Sequence, residues 1–227
     1  MRYNNIYPAV FINRPNRFIA NIEIDGAEQV CHVKNTGRCG ELLVDRAEIY
    51  VQKNDNPSRK TMYDLIAVKK GNRIVNMDSQ APNYLVKEWL LEKNPFGKIT
   101  YLKPEQKCGN SRFDFYMETE NSRTYIEVKG VTLENNNVVS FPDAPSQRAV
   151  KHLKELCELK TRGYDCYVIF VVQMEAVKYF RPETQRHEEF AQALIEANNC
   201  GVKIMAVDCR VEKDFIIINK EVGVRYE

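Results

Sequence analysis

Phe18, Ala20, Ile22 and Ile24 alternate with Ile19, Asn21 and Glu23. A period of two marks a half-buried strand. Asp25-Gly26 then turns the chain into Gln29 to Val33, which reads as a hairpin. Glu48 to Lys53 and Tyr63 to Lys69 are further candidate strands, and Lys70-Gly71-Asn72 makes the next turn, with Arg73 to Met77 as a return strand. About five short strands in this space predict a small barrel, and an OB-like barrel is the natural choice. Near Asp78 the period changes. Tyr84, Leu85, Trp89 and Leu90 recur at helical spacing, and Asn94-Pro95-Phe96-Gly97 stops the helix. Strands follow at Ile99 to Lys107, Arg112 to Glu118 and Thr124 to Leu133. Pro145 and Ser146 open a helix that reaches about Lys160. Cys166 to Gln173 is a continuous apolar run, the signature of a strand buried on both faces. A helix from Pro182 to Asn198 and strands at Lys203 to Asp208 and Asp214 to Asn219 complete the reading.

The expected fold class is therefore α/β (α+β overall): a barrel over residues 1–77, then a mixed sheet flanked by helices over 78–227. With 227 residues, 44% of them hydrophobic, either unit can bury a core.

Two adjacent expected strands carry the informative chemistry. One reads Arg112-Phe113-Asp114-Phe115-Tyr116, the other Tyr125-Ile126-Glu127-Val128-Lys129. Alternation turns Phe113 and Phe115 one way and Asp114 the other. It likewise separates Ile126 and Val128 from Glu127 and Lys129. In a hairpin, Asp114, Glu127 and Lys129 share a face. Two carboxylates and an ammonium among Phe, Ile and Val would cost several kcal/mol if buried unpaired. A divalent cation answers this, since Mg²⁺ takes one or two carboxylates, water and a substrate phosphate. The Val128 carbonyl offers a further oxygen, and Lys129 can steady charge that develops in the reaction. A plain cross-strand salt bridge on a wet face answers it too.

Other bulk properties narrow the picture less. No segment approaches the roughly 18 apolar residues of a membrane span, and MRYNNIYPAV is not a signal peptide. The expectation is a cytoplasmic protein with no membrane partner. Seven cysteines, with no C-x-x-C pair, argue for free thiols. Net charge is only +2, but residues 1–76 hold 12 Lys and Arg against 8 Asp and Glu. That tilt favours a phosphate-facing front. Arg14, Arg17 and Phe18 set two cations beside a ring, a way to hold nucleic acid. Lys34, Asn35 and Arg38 flank a polar turn at Gly37 suited to a phosphate. Lys151 and His152 lie in the helix after the motif strands, where a polar side chain can face the site.

An Asp followed at a distance by Glu-x-Lys on adjacent strands resembles the PD-(D/E)XK nuclease superfamily. More of the chain resembles the sugar fermentation stimulation protein A family. The matching blocks are RPNRFIA from Arg14, HVKNTGR from His32, RFDF from Arg112, YIEVKGVT from Tyr125, FPDA from Phe141 and RAVKHLKEL from Arg148. Gln147 and Ala149 depart from the acidic residue and glycine expected there. The resemblance implies an OB-like domain followed by a PD-(D/E)XK domain, DNA binding, and assignment as a DNA/RNA nuclease. It places Asp114, Glu127 and Lys129 in the catalytic motif, with Mg²⁺ or Mn²⁺ held by Asp114, Glu127 and Glu105. DNA is the expected partner, RNA the alternative, and a homodimer the assembly to test. The rival function is a sequence-tolerant DNA-binding regulator of sugar metabolism genes without catalysis.

Overall fold

The computed structural model describes residues 1–226. The front half is a closed barrel of five strands: β1 (Ile6–Asn16), β2 (Ile19–Ile24), β3 (Ala27–Val33), β4 (Glu48–Lys53) and β5 (Tyr63–Lys70). They lie in the order β3-β2-β1-β4-β5, and a parallel pairing of Cys31 with Tyr63 and Val33 with Leu65 shuts the ring. A sixth strand, β6 (Arg73–Asn76), extends β5. Alternation decides which side chains fill the barrel. Ala20, Ile22, Ile24, Cys31, Val33, Ile49, Val51, Leu65 and Val68 are buried. Phe18 does not continue that inward series, because it stands 45% exposed beyond the strand end.

Strand β1 has no counterpart in the pattern reading. Pro8 and Pro15 interrupt its donors, and its register with β2 slips between Phe11 and Asn13 and again before Asn16. Such irregularities let one long strand bend from β4 onto β2 and turn the barrel corner.

The rest is built on a six-stranded sheet ordered β15-β14-β12-β9-β8-β7. Its strands are β7 (Ile99–Cys108), β8 (Ser111–Thr119), β9 (Arg123–Val131), β12 (Asp165–Val172), β14 (Lys203–Val211) and β15 (Ile216–Val222). Three short strands, β10 (Leu133–Asn135), β11 (Val138–Phe141) and β13 (Tyr179–Pro182), form a side sheet. In the main sheet the central strands β9, β12 and β14 run parallel, and the outer strands are antiparallel. Helix α1 (Ala81–Lys93) covers one face with Ala81, Leu85, Val86 and Leu90 against Phe115, Ile126, Val128 and Ile169. Helix α2 (Gln147–Thr161) and helix α3 (Glu188–Asn199) cover the other. Ser146 caps α2 by accepting the Ala149 N–H. The helix expected from Pro182 begins only at Glu188. Phe180 is fully buried, Pro182 pairs beside Phe141, and a turn intervenes. Pairing with the strand at Phe141 claims Pro182 as a strand end, a place where its missing donor is tolerated as well as in a helix's first turn. The seven cysteines are unpaired thiols, and no helix among the described residues is long and apolar enough to cross a membrane.

One buried side chain ties barrel to sheet. Gln173 follows β12, and its backbone N–H donates to Val131 O at 2.9 Å. Its side-chain Nε2 donates to Asn76 Oδ1 at 2.8 Å and to Asp78 O at 3.0 Å. Its carbonyl accepts the Asn76 N–H at 2.9 Å. Gly130 makes this packing possible. A Cβ there would lie 2.6 Å from Gln173 Oε1 and 2.9 Å from Pro82 Cγ. Neither neighbour can retreat, since Gln173 is held at both ends and Pro82 is a buried ring. Gly130→Ala is expected to lower stability by about 1–3 kcal/mol, the usual cost of overpacking. Urea and thermal unfolding of the variant beside wild type check this, and an unchanged midpoint would contradict the packing account.

Candidate active site

The site forms where two strands part. Strands β8 and β9 pair from Phe115–Ile126 to Glu118–Arg123. Beyond Phe115 the ladder ends, and Val128 N–H loses the partner a continued ladder would supply. Asp114 Oδ2 takes that bond at 2.7 Å. A buried backbone donor must be satisfied, so the carboxylate is locked in place. The parting also corrects the expected alternation. Phe113 packs against Tyr125 and His152 on the α2 face, while Phe115 and Met117 join the α1 face. A two-residue period holds only while a strand stays in its ladder. On β9 it does hold: Ile126 and Val128 face α1, and Glu127 faces α2.

Glu127 is 3% exposed. His152 Nδ1 on α2, equally buried, lies 2.6 Å from Glu127 Oε1. The Lys129 ammonium forms an ion pair with the same oxygen. Burial pushes the Glu127 pKa up, but the His152 hydrogen bond and Lys129 outweigh it, so the carboxyl stays ionised below its ordinary range. Its other oxygen, Oε2, is buried with no partner among the described residues. Asp114 shifts the opposite way. Burial and the charge of Glu127 raise its pKa, against the bonds from Val128 N–H and from Asn83 Nδ2 on α1 at 2.9 Å. Two carboxylates that repel each other, one with an open buried oxygen, make a donor set suited to a hard divalent cation. The residues that could hold it are Asp114, Glu127 and the Val128 carbonyl.

Glu105 stands apart from this pair. By strand register it lies across from Asp114 and lines the same cleft of about 400 Å³. Its backbone is left-handed, with φ of 54°, and its carboxylate bonds Arg112 Nε at 2.7 Å. Among the described residues no three acidic, His or Cys side chains close into a metal cage. Asn83 was not legible as a site residue. Only the tertiary contact of α1 with β8 singles it out.

The other expected ligands fall into two groups. Arg17 and Phe18 are exposed, with the guanidinium 4.8 Å from the ring centroid. Arg38 and Lys151 are also exposed, Lys151 lying near Asn110 O and Glu155. The remainder hold structure. Arg14 donates to the carbonyls of Arg17, Asn35, Gly37 and Arg38, and so shapes the polar turn itself. Asn35 Oδ1 accepts the Gly37 N–H, and Lys34 pairs with Asp78 at 3.1 Å. His152 supports Glu127 from inside the core. The turn Asn35-Thr36-Gly37 nonetheless borders the site, because it walls a groove of about 250 Å³ with Gly130, Val131 and Thr132, the residues that follow Lys129.

Comparison with known proteins agrees across the whole chain. Residues 12–77 match the SfsA N-terminal OB domain, and residues 80–215 match the sugar fermentation stimulation protein RE domain. The chain belongs to the sugar fermentation stimulation protein family. A homolog from Clostridium beijerinckii is 57% identical over 99% of both chains. One from Ruminiclostridium cellulolyticum is 56% identical over 99% of this chain and 100% of its own. A solved structure of Pyrococcus furiosus SfsA in complex with Ca²⁺ superposes with a TM-score of 0.89 at 27% identity, covering 99% and 98% of the two chains. The match supports the barrel-plus-sheet architecture of this family member end to end.

Replacing His152 tests the support given to Glu127. His152→Ala is expected to cost about 2 kcal/mol, the range for losing a hydrogen bond to a buried charge. His152→Asn, whose amide can still donate near the Nδ1 position, should recover part of it. Chemical denaturation of both variants reads the difference, and equal losses would separate the effect from the hydrogen bond.

Proposed function

We propose that this protein is a metal-dependent nuclease that hydrolyses phosphodiester bonds in DNA, with RNA as the alternative substrate. The observation that carries the reading is the open, buried Oε2 of Glu127 beside Asp114 and Lys129. A Glu127–Lys129 salt bridge alone would not need a second carboxylate, Asp114, held beside it by both Asn83 and the β9 backbone.

Asp114, Glu127 and the Val128 carbonyl would hold Mg²⁺ or Mn²⁺. Such an ion activates water at neutral pH and offsets negative charge on the phosphoryl oxygens. The chain does the rest. Asn83 and the Val128 N–H fix the orientation of Asp114, so its outward lone pairs are ready without reorganisation. His152 fixes Glu127 from the core side. Lys129, only 17% exposed at its side chain, is held next to both carboxylates and supplies a positive charge where the phosphate is attacked. The exposed Arg17, Phe18 and Arg38 on the barrel would grip the strand by phosphate contact and ring stacking. The Ca²⁺ complex of the Pyrococcus furiosus relative supports a hard-cation site in the family, since Ca²⁺ also takes oxygen ligands.

The test is cleavage of labelled single- and double-stranded DNA and RNA in Mg²⁺, Mn²⁺ or EDTA. Wild type is expected to cut in either metal and not in EDTA. Asp114→Ala and Lys129→Ala are each expected to lose about 10²-fold or more, the scale for removing one electrostatic contributor. Equal cutting by the variants sinks the assignment. Binding without any cutting leaves a sequence-tolerant DNA-binding protein on a nuclease scaffold.

A further inference from the structure

The outer face of α1 carries groups that nothing above uses. Asn83 faces Asp114. Tyr84 follows it, and Lys87 lies one helical turn beyond. Both line the cleft that also contains Asp114 and Glu105. Tyr84 is 58% exposed, the most exposed of the large hydrophobic side chains among the described residues. A single exposed aromatic is unremarkable on an open surface. Tyr84 instead sits on the wall of a concavity whose floor is a proposed metal ligand.

The charges of the cleft separate in a telling way. Glu105 is neutralised by Arg112, and the neighbouring Glu88 by the chain's N-terminal amine. Lys87 is exposed and makes no ion pair among the described residues. A ring and an uncommitted cation one turn apart, in the cleft that Asp114 lines, match a nucleotide's base and phosphate. The cleft, at about 400 Å³, has the size of a small-ligand site and has room for one splayed nucleotide.

We propose that Tyr84 and Lys87 clamp an unpaired nucleotide next to the scissile phosphate, Tyr84 by stacking on its base and Lys87 by contact with its phosphate. The inference rests on the nuclease reading for the place of the cut, and it names the substrate there as single-stranded nucleic acid. Tyr84 and Lys87 position substrate and take no part in bond breaking.

Binding is read in EDTA, where no cutting is expected, from the anisotropy of a labelled oligothymidylate and of a blunt DNA duplex. Tyr84→Ala is expected to weaken oligothymidylate binding about tenfold, within the range for one stacked base. Tyr84→Trp should restore it, and duplex affinity should not change. Lys87→Gln should reduce the slope of log K against log salt by about 0.7 for the single strand, as expected for one lost phosphate contact. A 2-aminopurine probe should be quenched by wild type and by Tyr84→Trp but not by Tyr84→Ala. Oligothymidylate binding by Tyr84→Ala at wild-type strength, or an equal loss for single strand and duplex, overturns the clamp. Cleavage assays run in parallel keep the two readings apart. Wild-type cutting with an undiminished Tyr84→Ala defeats only the clamp. Stacking that depends on Tyr84 in a protein that cuts nothing defeats only the catalytic assignment.

Discussion

The structure depends on one buried charge. Glu127 lies in the middle of a sheet, on a strand with a neighbour on either side, where an unpaired carboxylate would cost several kcal/mol. Its environment is arranged to keep it ionised. His152 must come from α2, so the packing of that helix and the position of the charge are set together. Lys129 must come from the same face of the same strand, two residues on. These two partners meet one oxygen and leave the other open. The geometry that stabilises the fold is therefore also the geometry that leaves one carboxylate oxygen uncommitted.

Asp114 obeys a related constraint from the backbone side. When β8 leaves β9, a donor in the sheet interior needs a replacement acceptor, and Asp114 provides it. Asn83 then joins α1 to the same carboxylate. The two acidic residues are thus pinned by different means, one by side chains of the core and one by a broken ladder. Further out, Gln173 plays the equivalent part for the domains. Its four hydrogen bonds join the ends of β9 and β12 to the barrel exit at Asn76 and Asp78. Because Gly130 follows Lys129 directly, the tight contact with Gln173 and Pro82 lies next to the motif. The barrel turn at Asn35 to Gly37 comes to rest beside those residues.

Much of this was legible from spacing. Alternation located β2, where every second side chain enters the barrel, and short apolar runs bounded by turns located the other strands of β3 to β6 and the motif strands β8 and β9. The apolar run at Cys166 located β12, because a central parallel strand is buried on both faces. Helix α2 announced itself through Ser146, a capping residue ahead of an apolar stripe. The misses share a cause. Strand β1 is interrupted by prolines, the side-sheet strands are three or four residues long, and the segment after Pro182 pairs with a distant strand. None of these carries a local period strong enough to read.

Residue types and their order were enough to place Asp114, Glu127 and Lys129 on neighbouring strands, and the two-residue period gave the side-chain direction on β9 but not at Asp114, where β8 leaves its ladder. They also sufficed for the division of the chain into barrel and mixed sheet. Which polar residues serve the site was decided in three dimensions. Arg14 and Lys34 look like open cations in the sequence, yet their charges are engaged by the carbonyls and carboxylates around them. His152 turns inward to Glu127, Glu105 turns to Arg112, and Asn83 reaches Asp114 across a helix–sheet gap. A local pattern records the face on which a side chain lies. The partner that satisfies it comes from a distant element, and only the packed chain brings the two together.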